Sequence, residues 1–548
     1  MKKVLRPEHS SRVCWKEYAI LGVIILAAIA IRVPGIFWLV GAGPTADYSF
    51  MTDDQRFVDL SKNFQAGTFD GYVYGMTTHL LALEALLAPV IRNPNPLQLL
   101  RVVTIGYAAL TCALVFAFSK LWFKDSRVAL YAAFFLSVAP LYVATSNFGT
   151  ADVTAVFYFY LALYAGVAYL DGGNPWWFVL ASATVGAAIA VKFFLPLLAP
   201  LALLVFRHRG RHLLIAGLVA SVTLIVGFEG LSLFSYRPGY LVLLLQVLRR
   251  DVVANSGGNG PATQLLLYLW DMVSATSVPI AGLLFAGACL WGWRACRRLP
   301  AILGALTMRE DWRNYVTGDA LVVLALSMYA LSMLFSGVHA VRYMLVFLPI
   351  GCIGAARTLV TLTSSVRMPS WAHFAAVVIL ITYCGANAVA LENLFMTDIR
   401  GDLAVWAQTV VAQGKFVLTL SGWSQVKGSV LDLHADPTLL DASTLVVSCD
   451  LEFNAYLRSR SAATHRAFGG QRRSDFFWDV YEGRSPYRIV KVFRQRALSP
   501  EQKLIDMQWL RPVGTFVPKL CVVLGRDGAG ASAVGSGIWP KHYYTAGW

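Results

Sequence analysis

Apolar runs of about twenty residues recur along the chain from about residue 18 to about residue 390. They begin near positions 18, 99, 128, 152, 176, 193, 213, 265, 321, 343 and 371. A helix that crosses the hydrocarbon core of a bilayer, about 30 Å thick, needs roughly 20 such residues. The pattern therefore predicts a polytopic α-helical membrane protein with about eleven transmembrane helices.

The first apolar run has one feature of a secretory signal peptide, since it follows a basic N-terminus that includes Lys2, Lys3 and Arg6. It lacks a cleavage site of small residues, and Arg32 interrupts it near its far end. We therefore expect it to be an uncleaved transmembrane helix.

The pattern changes after about residue 395. RGDLAVWAQTVVAQG has helical spacing, and four later runs, separated by turn residues, are strand-like: KFVLTLSG, STLVVSCD, YRIVKVFR and KLCVVLG. The sequence thus predicts two domains, a transmembrane domain over 1–394 and a soluble α/β domain over 395–548. The Gly- and Ser-rich end of the chain is not a dinucleotide fingerprint, because no helical pattern follows it.

Composition and charge agree with a membrane protein. Hydrophobic residues make up 57% of the chain, charged residues make up only 14%, and the mean hydropathy is +0.58. Lys and Arg collect in alternate short loops, which places the N-terminus in the cytoplasm and the 43–96 loop and the 395–548 domain outside it. This topology accounts for the net charge of +15 without a nucleic-acid partner.

Cysteine usage leaves one question open. Of the eight cysteines, only Cys449 and Cys521 belong to the outer domain. They could pair in an oxidising compartment, but two cysteines do not establish a disulfide framework. No Cys/His spacing indicates a structural metal site.

Three acidic residues stand out in the outer loops. Asp53 and Asp54 follow the first span in MTDDQRFVDLSKNFQAGTFDG, and Asp152 lies in SNFGTADV at the start of the fourth span. A carboxylate can act as a general base on a hydroxyl nucleophile. The alternative is structural: the first two would cap a helix that begins near Gln55, and Asp152 would cap the fourth span.

The first outer loop, TDDQRFVDLSKNFQAGTFDGYVYGMTTHLLALEALLAP, resembles that of the GT-C membrane glycosyltransferases. The likeness is to family 39, the protein O-mannosyltransferases, and to the lipid A aminoarabinose transferases. RVALYAAFFLSVAPLYVATSNFGTADV is similar to the third span and second acidic loop of that family, and VRYMLVFLPIGCIGAARTL is similar to the start of a late span. Asp54 stands where the family has Glu, and MTTH also departs from its pattern, which leaves the acceptor class open.

The resemblance implies an inverting transfer of a sugar from a polyprenyl-phosphate donor to an acceptor on the extracytoplasmic side. The acceptor would be a lipid, a glycan or a protein. Asp53 would be the general base, and Asp54 and Asp152 are further catalytic candidates. Arg56 and Tyr74 match loop positions that would contact the acceptor or shape the loop.

The leaving phosphate gains negative charge, so cations placed beside it would lower the barrier. The outer-side candidates are Lys192, Arg342, Arg101, Arg249, Arg250 and His339. Lys192 and Arg342 fit the family pattern best. The alternative is that cations at the ends of spans extend to the membrane interface.

Other functions stay open on the sequence alone. A transporter or lipid flippase would also place charged residues in the membrane, and a non-catalytic assembly subunit would retain the fold. We expect no cofactor, although Asp53, Asp54 and Asp152 could supply oxygen ligands to a divalent metal. The expected location is a bacterial inner membrane, where membrane lipids surround the chain.

Overall fold

The computed structural model describes the parts of the chain that form its helical bundle and the core of its C-terminal region. The described residues are 15–40, 52–66, 87–90, 95–192, 195–207, 214–223, 261–290, 317–335, 341–365, 369–413, 416–419, 444–449, 479–480, 484–494 and 520–526.

Helices dominate the described part up to residue 413. The first half contains α1 (Trp15–Arg32) with a 3-10 turn (Val33–Phe37), α2 (Thr52–Gln65), α3 (Pro96–Phe123), α4 (Ser126–Val138), α5 (Pro140–Ser146), α6 (Asp152–Gly172) and α7 (Pro175–Lys192). The second half contains a 3-10 turn (Leu195–Leu197), α8 (Leu198–Arg207), α9 (Leu214–Thr223), α10 (Pro261–Thr276), α11 (Val278–Leu290), α12 (Gly318–Phe335), a 3-10 turn (Val341–Val346), α13 (Phe347–Ser365), α14 (Ser370–Met396) and α15 (Ile399–Ala412).

The helices confirm a polytopic membrane protein. Within the described ranges, six helices are long and apolar enough to cross a membrane, or seven if α4 and α5 form one bent span. Further apolar helices, α9 and α11 among them, are shorter than those six. The total of eleven spans therefore stays a prediction.

Local sequence explains where several helices begin and bend. Asn95 caps α3 by accepting hydrogen bonds from the backbone N–H groups of Leu97 and Gln98, and Pro96 occupies the first helical position. Pro140 lacks a backbone N–H and disfavours a helical residue before it, so α4 ends at Val138. α5 then continues at an angle of 56° to α4.

α6 and α7 form an antiparallel hairpin. Gly173 ends α6 in the left-handed region, with φ +69°, a conformation that glycine adopts without strain. α6 is apolar on all sides and is buried against α3, α7 and α12. Tyr160 connects it to α13 and the 3-10 turn before it, because its hydroxyl donates to the Val346 carbonyl over 2.7 Å and accepts from the Ile350 N–H.

The described residues after the last span form a helix packed on a sheet. The strands are β1 (Phe416–Thr419), β2 (Thr444–Cys449), β3 (Tyr487–Arg494) and β4 (Leu520–Arg526), and they coincide with the four strand-like runs of the sequence. Their order in the sheet is β1-β2-β4-β3, with β1 and β2 parallel and the other pairs antiparallel.

α15 covers one face of this sheet through an apolar cluster formed by Ile399, Leu403, Ala407, Val410, Val417, Leu445, Val447 and Val523. Cys449 and Cys521 face each other across β2 and β4 and are joined by a disulfide. The pairing that the sequence left open is therefore present in the structure.

Candidate functional site

The N-terminus of α6 and the C-terminus of α7 lie at the same end of their hairpin. Asp152, the first residue of α6, forms an ion pair with Lys192, the last residue of α7. Asp152 is buried, and its Oδ2 accepts a hydrogen bond from the Thr150 hydroxyl over 3.2 Å. Each charge also lies at the helix end whose dipole stabilises it. The position of both residues thus follows from the hairpin.

Lys192 is the more accessible member of this pair. Its side chain keeps 27% of its exposure, against 10% for Asp152. The Lys192 ammonium lies 5.6 Å from the centre of the Tyr343 ring, within the range of a cation–π contact. Tyr329 anchors this segment by donating a hydrogen bond to the Tyr343 carbonyl over 3.1 Å. An anionic group that approaches would therefore meet the ammonium before it meets the carboxylate.

A second polar group lies where the first span ends, and we call Arg32, Gly35, Arg101, Asn147 and Glu392 the Gly35 cluster. Arg32 is 1% exposed. Its Nε donates to the Ser146 hydroxyl over 3.1 Å, and its Nη1 donates to the carbonyls of Ala28 and Ser137. This arginine therefore joins α1 to the bent α4–α5 pair.

Arg101 closes the end of the first span. Its Nη1 donates to the carbonyl of Trp38 over 2.7 Å and to those of Gly35 and Ile36 over 3.3 Å. The last carbonyls of a helix have no partner within the helix and need such donors. The guanidinium also lies 5.2 Å from the centre of the Trp38 ring.

Asn147 and Glu392 meet beside Gly35. The Asn147 Nδ2 donates to Glu392 Oε2 over 2.7 Å, and both residues are buried. A Cβ atom on Gly35 would lie 2.2 Å from Asn147 Oδ1 and 2.7 Å from Glu392 Oε1. Only glycine therefore allows the first span, the loop after α5 and the end of α14 to approach this closely.

Three comparisons relate this chain to known proteins. The family model described as dolichyl-phosphate-mannose-protein mannosyltransferase matches residues 85–235. The comparison with curated proteins found no match. Among solved structures, the apo oligosaccharyltransferase of Archaeoglobus fulgidus is 13% identical, with a TM-score of 0.51 over 89% of this chain and 74% of that chain.

The chain has the GT-C fold. A further similar structure is ArnT from Cupriavidus metallidurans bound to undecaprenyl phosphate. It is 16% identical and covers 74% of this chain and 73% of that chain, with a TM-score of 0.45. The family match and the oligosaccharyltransferase structure confirm, at the level of the fold, the resemblance noted in the sequence.

Within the GT-C fold, the structure brings together Asp152, Lys192 and the Arg342–Tyr343 segment from three separate parts of the chain. Arg342 is half-buried. The sequence predicted Arg101 as a ligand of the donor phosphate. In the structure it is 1% exposed, and its guanidinium binds carbonyls of the first span. We therefore assign Arg101 a structural role.

The other candidates lie on α2 or outside the described residues. Asp53, Asp54 and Arg56 lie near the start of α2, which begins at Thr52, earlier than a helix starting near Gln55. Phe57 and Val58 bury this helix in the apolar core. The candidates outside the described residues are Tyr74, Arg249, Arg250 and His339.

The described residues contain no group of three or more His, Cys, Asp or Glu side chains that could hold a metal ion. Sequence reasoning did not identify Glu392 or Asn147 as members of a site. One signal was present, because an ionisable residue inside an apolar span marks a functional or structural contact. Arg32 and Glu392 both carry that signal.

Proposed function

We propose that this protein is a membrane glycosyltransferase that moves a sugar from a polyprenyl-phosphate donor to an acceptor on the extracytoplasmic side, with inversion at the sugar carbon. The observation that carries this proposal is the Asp152–Lys192 pair beside Tyr343, at one end of the α6–α7 hairpin of a GT-C fold. The description of the family matched over residues 85–235 names dolichyl-phosphate mannose, a lipid-phosphate sugar, and this supports the donor class.

Lys192 is proposed to hold the donor phosphate. Lysine acts as a compact point charge toward phosphate oxygens, and Tyr343 offers an aromatic face beside it. As the bond from the sugar C1 to the phosphate oxygen breaks, negative charge grows on the phosphate. The ammonium stabilises this charge, and Asp152 keeps the ammonium in place before the donor arrives. Arg342 would supply a second cation from the adjoining 3-10 turn.

Asp53 is proposed as the general base. An acceptor hydroxyl is a weak nucleophile near neutral pH, so a carboxylate must take its proton while its oxygen bonds to C1. The proton passes to Asp53, and polyprenyl phosphate leaves with the electron pair of the broken bond. Asp54 and Asp152 are the alternatives for this role, and no cofactor enters the scheme.

The proposed orientation places the N-terminus in the cytoplasm and the described α/β layer outside it, in the periplasm of a bacterial inner membrane. Two observations support it. Basic residues collect in alternate loops, with the N-terminus on the basic side. The Cys449–Cys521 disulfide also belongs in an oxidising compartment.

Purified protein in lipid vesicles tests the proposal. We would supply a panel of polyprenyl-phosphate sugars with a membrane extract as acceptor, and follow the release of free polyprenyl phosphate. Asp53→Asn keeps the size of the side chain but removes its basicity, so release is expected to fall by about 10²-fold or more. Asp59→Asn is the matched control, since Asp59 lies on the same helix and is exposed.

Two outcomes would contradict parts of this proposal. If Asp53→Asn releases polyprenyl phosphate as fast as the parent, Asp53 is not the base. If the parent consumes no donor in the panel, the glycosyltransferase proposal fails and a transporter or flippase becomes the better explanation.

A further inference from the structure

We propose that Glu392 is a positioning residue: through Asn147 it fixes the loop that brings Asp152 to Lys192. The inference rests on the proposed function for its catalytic consequence, but its structural part can be measured without any activity. Glu392 lies on the last long span, far in sequence from the loop that it holds.

A connection of five residues joins the helix before Asn147 to Asp152, so the Glu392 contact and the ion pair lie at its two ends. Asn147 follows α5 directly, and Asp152 begins α6, so residues 147–151 form the whole connection. Asn147 is completely buried, and the 2.7 Å hydrogen bond to Glu392 fixes its side chain. Movement of Asn147 would therefore be passed to the residue that pairs with Lys192.

The rest of this connection has little room to adjust by itself. The Phe148 ring packs against the rings of Trp38 and Phe395, at centre distances of 5.5 Å and 6.1 Å. A Cβ atom on Gly149 would lie only 2.9 Å from the Leu100 Cβ. Because Phe148 and Gly149 are packed this tightly, we expect displacement at Asn147 to reach Asp152.

Stability alone does not account for a glutamate at this position. Glu392 is 4% exposed, so its carboxyl group is buried beside an apolar span. Asn147 Oδ1, next to Gly35, has no hydrogen-bond partner in the described structure. Buried polar groups of this kind cost free energy, and an apolar side chain of similar volume at position 392 would avoid the cost of the carboxyl group. A glutamate here is better explained by what it holds in place.

Two buried arginines belong to the same cluster. Arg32 and Arg101 are each 1% exposed, and both bind backbone carbonyls of the first span or its neighbours. The Glu392 carboxyl group lies beside Gly35 of that span and accepts the hydrogen bond from Asn147. It is therefore the point where α14, the first span and the loop before α6 meet.

The first arm of the test measures the Lys192 ammonium directly. A membrane-permeable amine-reactive reagent is applied to the full chain in vesicles, and modification of Lys192 is followed by peptide mass spectrometry. Glu392→Leu and Asn147→Ala remove the contact, so Lys192 should react several-fold faster than in the parent. Glu392→Gln keeps an oxygen acceptor for Asn147 and should restore the parent rate.

The matched control is Asn387→Ala. Asn387 is also buried and polar and lies on α14, but it is outside the Gly35 cluster. We expect Lys192 to react at the parent rate in this variant. Thermal unfolding of every variant shows whether a change in reactivity reflects a local shift or loss of the fold.

The second arm measures polyprenyl phosphate release. Misplacement of a reacting group by about 1 Å can cost up to 10²-fold in rate, so Glu392→Leu should lower kcat by about tenfold or more, and Glu392→Gln should recover it. If the parent releases nothing, the proposed function fails while the labelling arm still decides the role of Glu392. Unchanged Lys192 reactivity in folded Glu392→Leu would overturn the inference, as would failure of both Glu392→Leu and Asn147→Ala to fold.

Discussion

Trp38 donates a hydrogen bond from its indole nitrogen to Oδ2 of Asp398 over 3.1 Å, although 360 residues separate the two in sequence. Trp38 lies at the end of the first span, and Asp398 is the N-cap of α15. The Asp398 side chain accepts a hydrogen bond from the backbone N–H of Arg400 in that helix. The Arg400 guanidinium pairs with the same carboxylate and lies 5.5 Å from the centre of the Trp38 ring. The helix that carries the C-terminal sheet is thereby attached to the end of the first span.

Removing the charge of Asp398 should weaken this attachment strongly. Asp398 and Arg400 have side chains with 0% exposure, so Asp398→Asn leaves a guanidinium buried without its counter-charge. Breaking a buried pair in this way costs roughly 3–5 kcal/mol. We expect the thermal unfolding temperature of the purified protein to fall. We also expect α15 to be cleaved by an added protease earlier than in the parent.

Asp402→Asn is the control for that experiment. Asp402 lies in the first turn of the same helix but is exposed, so its removal should change stability by no more than about 1 kcal/mol. Equal losses in the two variants would mean that helix charge, rather than the buried pair, accounts for the effect.

Gly35→Ala should destabilise the membrane domain. The added methyl group would meet Asn147 Oδ1 at 2.2 Å, closer than any real Cβ contact, and overpacking of this kind costs about 1–3 kcal/mol. Gly22→Ala provides the comparison on the same span, since a Cβ atom there would meet nothing within 4 Å. Thermal unfolding in detergent measures both. A Gly35→Ala protein as stable as Gly22→Ala would contradict the close approach at Gly35.

The charge of Lys192 should matter for donor binding. Lys192→Gln removes the ammonium, so we expect the KM for the polyprenyl-phosphate donor to rise by about tenfold or more, as measured by polyprenyl phosphate release. Lys192→Arg keeps the charge with a different geometry, so its donor KM should lie between those of the parent and of Lys192→Gln.

Lys124 gives a matched comparison because it also pairs with an aspartate, Asp171, at the opposite end of α6. Both side chains of that pair are more than half exposed, and surface pairs of this kind contribute little. Lys124→Gln should therefore leave donor KM unchanged. A similar rise in KM for both variants would indicate a general effect of charge and would argue against a phosphate site at Lys192.

The disulfide can be tested in native membranes. Alkylation without a reductant should leave Cys449 and Cys521 unmodified, and prior reduction should expose both, as read by peptide mass spectrometry. The bond closes a segment of 72 residues, so Cys449→Ser with Cys521→Ser should cost about 4 kcal/mol in the C-terminal layer. Alkylation of both cysteines before reduction would place this layer in a reducing compartment.

Local sequence patterns predicted the starts of the helices better than their contacts. The predicted spans near positions 99, 152 and 176 correspond to helices that begin at Pro96, Asp152 and Pro175. Proline and a capping asparagine mark the starts at Pro96 and Pro175, and an acidic residue opens the helix at Asp152. The break at Pro140 had the same kind of signal, yet the apolar run continues across it, so the sequence suggested one unbroken span.

Contacts between distant segments were not predictable in this way. Asn147 and Glu392 are 245 residues apart, and nothing in the pattern around either one specifies the other. Arg101 is a second case in which the sequence pattern suggested the wrong partner. Its position at the start of a span suits an interfacial phosphate ligand, but its Nη1 donates to three nearby backbone carbonyls. Which acceptors surround a cation depends on how the spans pack.

The order of strands in the C-terminal sheet means that this layer can form only after the chain has been synthesised through β4. β4 (Leu520–Arg526) is the last of the described strands, yet it lies between β2 and β3 and carries one half of the disulfide. A nascent chain that stops before Leu520 leaves β3 without a neighbour among the described strands and leaves Cys449 unpaired. Ribosomal stalling or proteolytic clipping upstream of β4 would thus expose unpaired strand edges to quality-control proteases.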